Sequence, residues 1–265
     1  MKWGKDMMKL IIGFWLTLLA STALADGHGE ENNKTVAMQV HYCSLNDGKD
    51  MADVDKALAP WRKWKEQNNY NGWTAELTPQ YDIRDGYDFY WLNFLPFTEM
   101  AGVLETYAAS GGAAQRAIDG VASCKLGLFG SRLKFPQVDE STLNSTSFVS
   151  IDSCNRKDGV DMETLLAQHD EFVGTSQAAN ADYIWNVAWP MAGVPSVSPM
   201  TGAQRMDYAN MFWFPSLTSQ MAAFESEVNG ELRMERKTYL QSFADCDERN
   251  TFAVKILNTP NRPWN

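Results

Sequence analysis

The sequence predicts an α+β fold built from two internally duplicated β-α-β-β-α-β units with antiparallel sheets. Three observations predict it. Cys43-Ser-Leu-Asn-Asp-Gly-Lys-Asp-Met51 recurs as Cys154-Asn-Arg-Lys-Asp-Gly-Val-Asp-Met162, with the Cys, Asp, Gly, Asp and Met positions shared. Each stretch follows a strand-like run and opens a helix-like one, so the copies agree in structure as well as in letters. A later strand-like run ends at a proline in both halves, Pro96 and Pro215.

The N-terminus stands outside this pattern. Lys2, Lys5 and Lys9 precede the apolar run 10–20, and Ala23-Leu24-Ala25 forms a cleavage-site pattern. That arrangement is expected of a secretory signal peptide over 1–25, and its apolar run is short for a spanning helix. The expected product is periplasmic or secreted, with no membrane insertion after cleavage. Removing residues 1–25 takes away three Lys and one Asp and leaves 20 basic against 32 acidic residues, a net charge near −12. So negative a surface repels phosphate backbones and makes nucleic acid a poor partner.

Residues 26–34 are polar and read as a lead-in, with His28 isolated in it. The first unit, 26–136, then opens on an alternating strand, 35–43. Asp47-Gly48 makes the turn, and Asp50 is placed to cap a helix over 51–67 carrying Val54, Leu58 and Trp61 on one face. Strand patterns follow at 70–77 and 87–95. Thr98 is placed to cap a helix to about Ala109, resuming after Gly111-Gly112, and 126–135 is the fourth strand. The polar stretch 137–147 reads as a linker. The second unit, 148–265, repeats the order with strands at 148–153, 183–189, 208–214 and 251–257 and helices at 162–178 and 217–243. A Pro/Ser/Gly-rich insertion lies at 191–204.

Four cysteines in an exported chain suggest disulfides with three possible connectivities. The repeat selects one. Cys43 corresponds to Cys154 and Cys124 to Cys246, so pairing inside each copy gives Cys43–Cys124 and Cys154–Cys246.

Two such units in tandem resemble the ferredoxin-like repeat and, together, a single-chain version of the dimeric α+β barrel. The resemblance rests on element order and duplication, with no diagnostic family motif. It implies two four-stranded antiparallel sheets packed face to face, with helices outside.

Aligning the copies places Met38/Val149 and Val40/Ile151 on the helix-covered face. Gln39/Ser150 and His41/Asp152 are then expected to point between the sheets. Thr74, Glu76 and Asn186 are expected on the same inner side, with Asn93 and Asn210 beside them and Trp91 and Phe212 as walls. The candidate catalytic group is His41 as acid/base, oriented by Asp152 or Glu76, because an imidazole titrates near neutrality. The same residues also make sense as a satisfied structural network. His169 falls on the apolar helix face at the position of Leu58 and reads as a packed histidine. The Asp-Gly-x-Asp motif lacks the alternating oxygen ligands of a calcium loop and reads as a turn with a helix cap. Arg132 and Lys255 could meet an anionic ligand or lie on the surface. No motif calls for a metal or cofactor, and no phosphate loop, dinucleotide fingerprint or nucleophile elbow is present.

The function expected from these residues is binding of a small, partly aromatic or hydrophobic ligand between the two sheets. One alternative is an enzyme of the cofactor-independent monooxygenase or isomerase type using His41. Another is a structural or partner-binding protein whose interior is filled. The architecture alone does not choose among them.

Overall fold

The structure, a computed structural model, describes residues 34–81, 86–136, 143, 147–179, 181–194 and 206–259. The expected signal peptide 1–25, His28, nearly all of the linker and positions 195–204 of the insertion lie outside the described residues.

The first half runs β1 (Thr35–Leu45), α1 (Met51–Ala57), α2 (Ala59–Gln67), β2 (Trp73–Tyr81), β3 (Phe89–Leu95), α3 (Phe97–Ser110), α4 (Gly112–Asp119) and β4 (Ala122–Pro136). The second runs β5 (Ser147–Arg156), α5 (Met162–Ala178), β6 (Ile184–Ala192), β7 (Tyr208–Phe214), α6 (Leu217–Val228), α7 (Arg233–Ser242), β8 (Ala244–Cys246) and β9 (Asn250–Asn258).

The repeated Cys-x3-Asp-Gly-x-Asp-Met stretch does the same work twice. Gly48 (φ +72°) and Gly159 (φ +82°) make left-handed turns that other residues adopt at a cost. Asp50 and Asp161 then cap α1 and α5, accepting from the backbone N–H of Asp53 at 2.9 Å and of Thr164 at 2.7 Å.

Three helix expectations are corrected. The helix expected over 51–67 is two, because Pro60 has no N–H to continue the ladder. The helix expected over 217–243 breaks at Asn229-Gly230, where neither residue favours a helix interior. Thr98 does not cap α3: the helix starts two residues earlier, with Pro96 in the cap position and no side-chain cap.

The strands form one closed antiparallel barrel in the order β7-β6-β4-β1-β3-β2-β9-β5, with β5 pairing back onto β7 and short β8 continuing beside β5. Two separate sheets face to face are therefore not what forms. The outer strands of each half find partners in the other, β4 on β6 and β2 on β9, which removes every open edge of the eight strands. Within each half the pairings match: β1–β3, β1–β4 and β2–β3 in the first, β5–β7, β5–β9 and β6–β7 in the second.

The barrel interior is the main core. All eight barrel strands contribute to it, from Val36, Met38, Val40 and Tyr42 on β1 to Phe252 and Val254 on β9. Trp73 and Trp213 meet edge-to-face at 5.3 Å and lock the halves across it. The helices cover the outside of each half over two further apolar clusters, one around Val54, Leu58, Phe89 and Ile118, the other around Leu165, Phe172, Trp185 and Phe212. Cys43–Cys124 and Cys154–Cys246 are bonded between directly opposed strand residues, with Cα–Cα distances of 4.1 and 4.0 Å. Among the described residues no helix is long and apolar enough to cross a membrane.

Candidate functional site

The strand period assigns faces, and it assigns them the opposite way from the sequence expectation. Met38, Val40, Val149 and Ile151 point into the barrel. Gln39, His41, Ser150 and Asp152 sit on the alternate face, under the helices. The space between the sheets is packed, so the polar row cannot line a ligand site there. It lines one on the outer side of the first half.

Two rows of opposed side chains make the floor. In the first, Gln39, Asn93 and Thr74 are register partners across β1, β3 and β2. In the second, His41, Trp91 and Glu76 are partners, with Leu126 beyond His41 and Lys255 beyond Glu76. Above this floor lies a cavity of about 180 Å³. Leu58, Trp61 and Trp64 from α1–α2, Met100, Val103, Leu104 and Tyr107 from α3, and Ile118 from α4 wall it. Among the described residues no Asp, Glu, Lys or Arg side chain is in that lining.

The polar groups are ordered. Tyr70 donates its hydroxyl to Asn93 Oδ1 at 3.2 Å, and Thr74 Oγ1 donates to the same oxygen at 3.0 Å. Asn93 therefore keeps its NH₂ for another partner. Nε2 of His41 lies 3.2 Å from Gln39 Oε1, an acceptor, which makes Nε2 the protonated nitrogen and leaves the Nδ1 lone pair without a partner among the described residues. Burial lowers the His41 pKa from its ordinary 6.5 to about 4, so the ring is neutral near pH 7.

Trp91 stands between the histidine and a carboxylate. Its ring meets His41 edge-on at 6.0 Å, and its N–H donates to Glu76 Oε2 at 3.0 Å. Glu76 is 4% exposed and also faces Lys255 at 3.7 Å, which in turn pairs with Asp55. Burial raises the Glu76 pKa, against the opposing pull of Trp91 and Lys255. Glu76 is thus bonded to Trp91 and Lys255, with no hydrogen bond to His41.

The matching face of the second half is closed. Asp152, the register counterpart of His41, is fully buried and does not join it. Arg249 grips both carboxylate oxygens, Nε to Oδ1 at 2.7 Å and a terminal nitrogen to Oδ2 at 2.9 Å, while Arg236 reaches Oδ2 at 2.8 Å. Burial alone would push the Asp152 pKa up; the two guanidiniums outweigh it and hold the group at about 2. Glu227 completes the cluster by pairing with Arg249 at 3.1 Å. Ser150 accepts from Gln220 at 3.1 Å. Asn210 accepts from the Trp185 N–H and bonds the Tyr239 hydroxyl, while Phe212 stacks on Trp185 with centroids 5.6 Å apart. Asn186, unlike the other residues of the expected inner set, does face the barrel interior, donating to Ser131 and accepting from Trp213 at 2.6 Å. None of these lines the cavity.

His169 is packed, as expected, against Trp185, Tyr208 and Tyr239, with Nε2 bonded to the Tyr239 hydroxyl at 2.8 Å. Arg132 stands over the Trp189 ring and bonds Thr35, away from the cavity lining. Of the eleven expected site residues, Gln39, His41, Thr74, Trp91 and Asn93 come together at the cavity. Tyr70 and the α3 stripe were not anticipated there. Met100, Val103, Leu104 and Tyr107 have the i, i+3, i+4, i+7 spacing of an apolar face, and that spacing was their signal. Arg236 and Arg249 join Asp152 from 84 and 97 residues away, with no local signal.

No family model matches the sequence, and no curated protein does. Solved structures match in fold. A protein from Lactobacillus acidophilus NCFM described as a candidate monooxygenase superposes with a TM-score of 0.54 at 10% identity, over 86% of this chain and 98% of its own. An anthrone oxidase-like protein superposes with a TM-score of 0.50 at 9% identity, over 87% and 97%. A candidate chlorite dismutase reaches 0.49 at 9% identity, over 86% and 96%, a similarity too slight to argue from. At such identities the likeness is one of fold alone: the chain has the α+β barrel architecture of these proteins.

Proposed function

We propose that the chain is an exported protein that takes a compact aromatic or hydrophobic compound into the cavity between the first-half sheet and its helices. The observation that carries this reading is the composition of the wall. It is aromatic and aliphatic, free of charged side chains among the described residues, and interrupted where Gln39, His41, Tyr70, Thr74, Asn93 and Gln115 present hydrogen-bonding groups. A dry cavity of comparable size holds a single aromatic ring, so one ring or a small fused pair sets the ligand size. Export is supported by the leader-like 1–25 segment and by two disulfides, which persist in oxidising compartments. The division into duplicated ferredoxin-like units, 26–136 and 148–265 joined by 137–147, is supported by the repeated Cys-to-Met stretch and the matching strand pairings.

A second reading is favoured by one feature, the neutral His41 ring with an open Nδ1. It has the form of a general base, and the enzyme-type names of the fold neighbours accord with it. Haem-dependent enzymes share this architecture, but the residues here do not fit a haem. A tetrapyrrole exceeds a space that one or two rings fill, and no Arg or Lys lines it to meet the propionates. The corresponding face of the second half is filled by Trp185, Phe212 and the Arg249 clamp.

Calorimetric titration with single-ring aromatics tests the first reading; binding that survives filling of the cavity by Asn93→Phe would place the ligand elsewhere. Screening for turnover of bound compounds, with His41→Ala as control, tests the second. Unchanged turnover in that variant would remove His41 from the chemistry.

A further inference from the structure

The geometry points to a narrower ligand class for this cavity: an un-ionised ring hydroxyl compound, its O–H donating to His41 Nδ1 and its oxygen accepting from the Asn93 or Gln39 amide. A carboxylate of the same shape is excluded. The inference rests on the cavity being the binding site.

The inventory of unused hydrogen-bonding groups carries it. His41 offers one acceptor, because Nε2–H is already directed at Gln39 Oε1. Asn93 offers donors, because its oxygen already accepts from Tyr70 and Thr74. Gln39 also keeps its NH₂, since its oxygen faces His41. Gln39 and Asn93 are directly opposed across β1 and β3, and His41 lies two residues along the same face. A hydroxyl is both donor and acceptor and matches this set; a hydrocarbon leaves all three groups dry and unpaired.

Charge separates the hydroxyl from the acid. Among the described residues no cationic side chain lines the cavity, and Lys255, on the neighbouring row, is engaged by Asp55 and Glu76. The histidine is neutral at pH 7, since burial holds its pKa at about 4. An anion entering this wall meets no counter-charge and the open lone pair of His41 Nδ1, and the neutral amide donors of Asn93 and Gln39 offset only part of its desolvation. A phenol, with a pKa near that of tyrosine at about 10, enters neutral.

The test is isothermal titration calorimetry at pH 7 with ethylbenzene, 4-ethylphenol and 4-ethylbenzoic acid, which share one ring and one alkyl group. The expected order is 4-ethylphenol about tenfold tighter than ethylbenzene, with 4-ethylbenzoic acid at least tenfold weaker than either. His41→Phe is expected to erase the phenol preference, bringing 4-ethylphenol and ethylbenzene to within about twofold of each other, with Asn93→Leu as a second variant should the first fold poorly. Equal binding of the phenol and the hydrocarbon overturns the inference and leaves the cavity reading standing. Binding of the acid as tight as the phenol overturns it too. If none of the three binds, both readings fall.

Discussion

Asn93 and Phe212 occupy matching positions in the two halves, each three residues before the proline that follows its strand and each opposite a polar residue, Gln39 or Ser150, across the neighbouring strand. Their neighbours match as well: Thr74 pairs with Asn93 where Trp185 pairs with Phe212. The stacked Trp185–Phe212 pair fills the space between sheet and helices in the second half. The smaller Thr74–Asn93 pair leaves it open in the first, and the cavity follows from that difference in volume.

Importing the larger pair should therefore close the cavity. Thr74→Trp with Asn93→Phe is expected to abolish 4-ethylphenol binding by calorimetry. The melting temperature is expected to hold or rise, since cavity filling gains apolar contacts. A double variant that folds normally and still binds the phenol would separate binding from this cavity.

The closed half has its own test. Asp152 is fully buried between Arg236 and Arg249, so Asp152→Asn leaves two guanidiniums facing a neutral amide. Breaking a buried ion pair from one side costs about 3–5 kcal/mol, and urea denaturation should show a loss of that order. A loss under about 1 kcal/mol would mean that solvent reaches the cluster and screens it.

The sequence announced elements and pairings more clearly than faces. The turn glycines Gly48 and Gly159, the caps Asp50 and Asp161, and both disulfides are legible in the repeat. Period-two alternation sorted Met38 and Val40 from Gln39 and His41, yet it does not say which set turns inward when helices bury one face and the barrel closes over the other. Assigning the apolar set to the helix-covered face sent His41 to the wrong side. The drier set fills the barrel, and the helix layer over β1–β3 tolerates the polar one because it is imperfectly packed there. Strands β2 and β6 divide the expected polar set: Trp73 points into the barrel and turns Thr74 under the helices, whereas Trp185 lies under the helices and leaves Asn186 on the inner side.

His169 gives the fold a predictable acid response. It is fully buried, and burial lowers its pKa to about 3, while the unfolded chain titrates near 6.5. Unfolding thus takes up a proton at mildly acidic pH. Its contribution to stability is complete above pH 6.5 and is lost as the pH falls toward 3. His41, lowered to about 4, acts in the same direction over a narrower window. Between pH 6 and pH 4, His169→Phe should flatten the curve of unfolding free energy against pH by up to about 1.4 kcal/mol per pH unit, one proton's worth. Parallel curves for wild type and variant would show that His169 protonates within the folded state.

The two disulfides offer the most direct check on the arrangement of the halves. Cys43 faces Cys124 across β1 and β4, and Cys154 faces Cys246 across β5 and β8, at sequence separations of 81 and 92. Neither bond crosses between the halves, so peptide mapping without reduction should recover these two pairs and no other. In the chain-entropy account, loops of that length are worth about 4–5 kcal/mol each. Cys43→Ser with Cys124→Ser should therefore lower the unfolding free energy by roughly that amount. The cavity sits beside this bond, as Cys124 lines it, so the same variant should also weaken 4-ethylphenol binding. The Cys154→Ser, Cys246→Ser pair, on the closed half, should cost similar stability while leaving ligand affinity in the folded protein unchanged. Equal loss of affinity in both variants would mean that the two halves do not hold their outer faces independently.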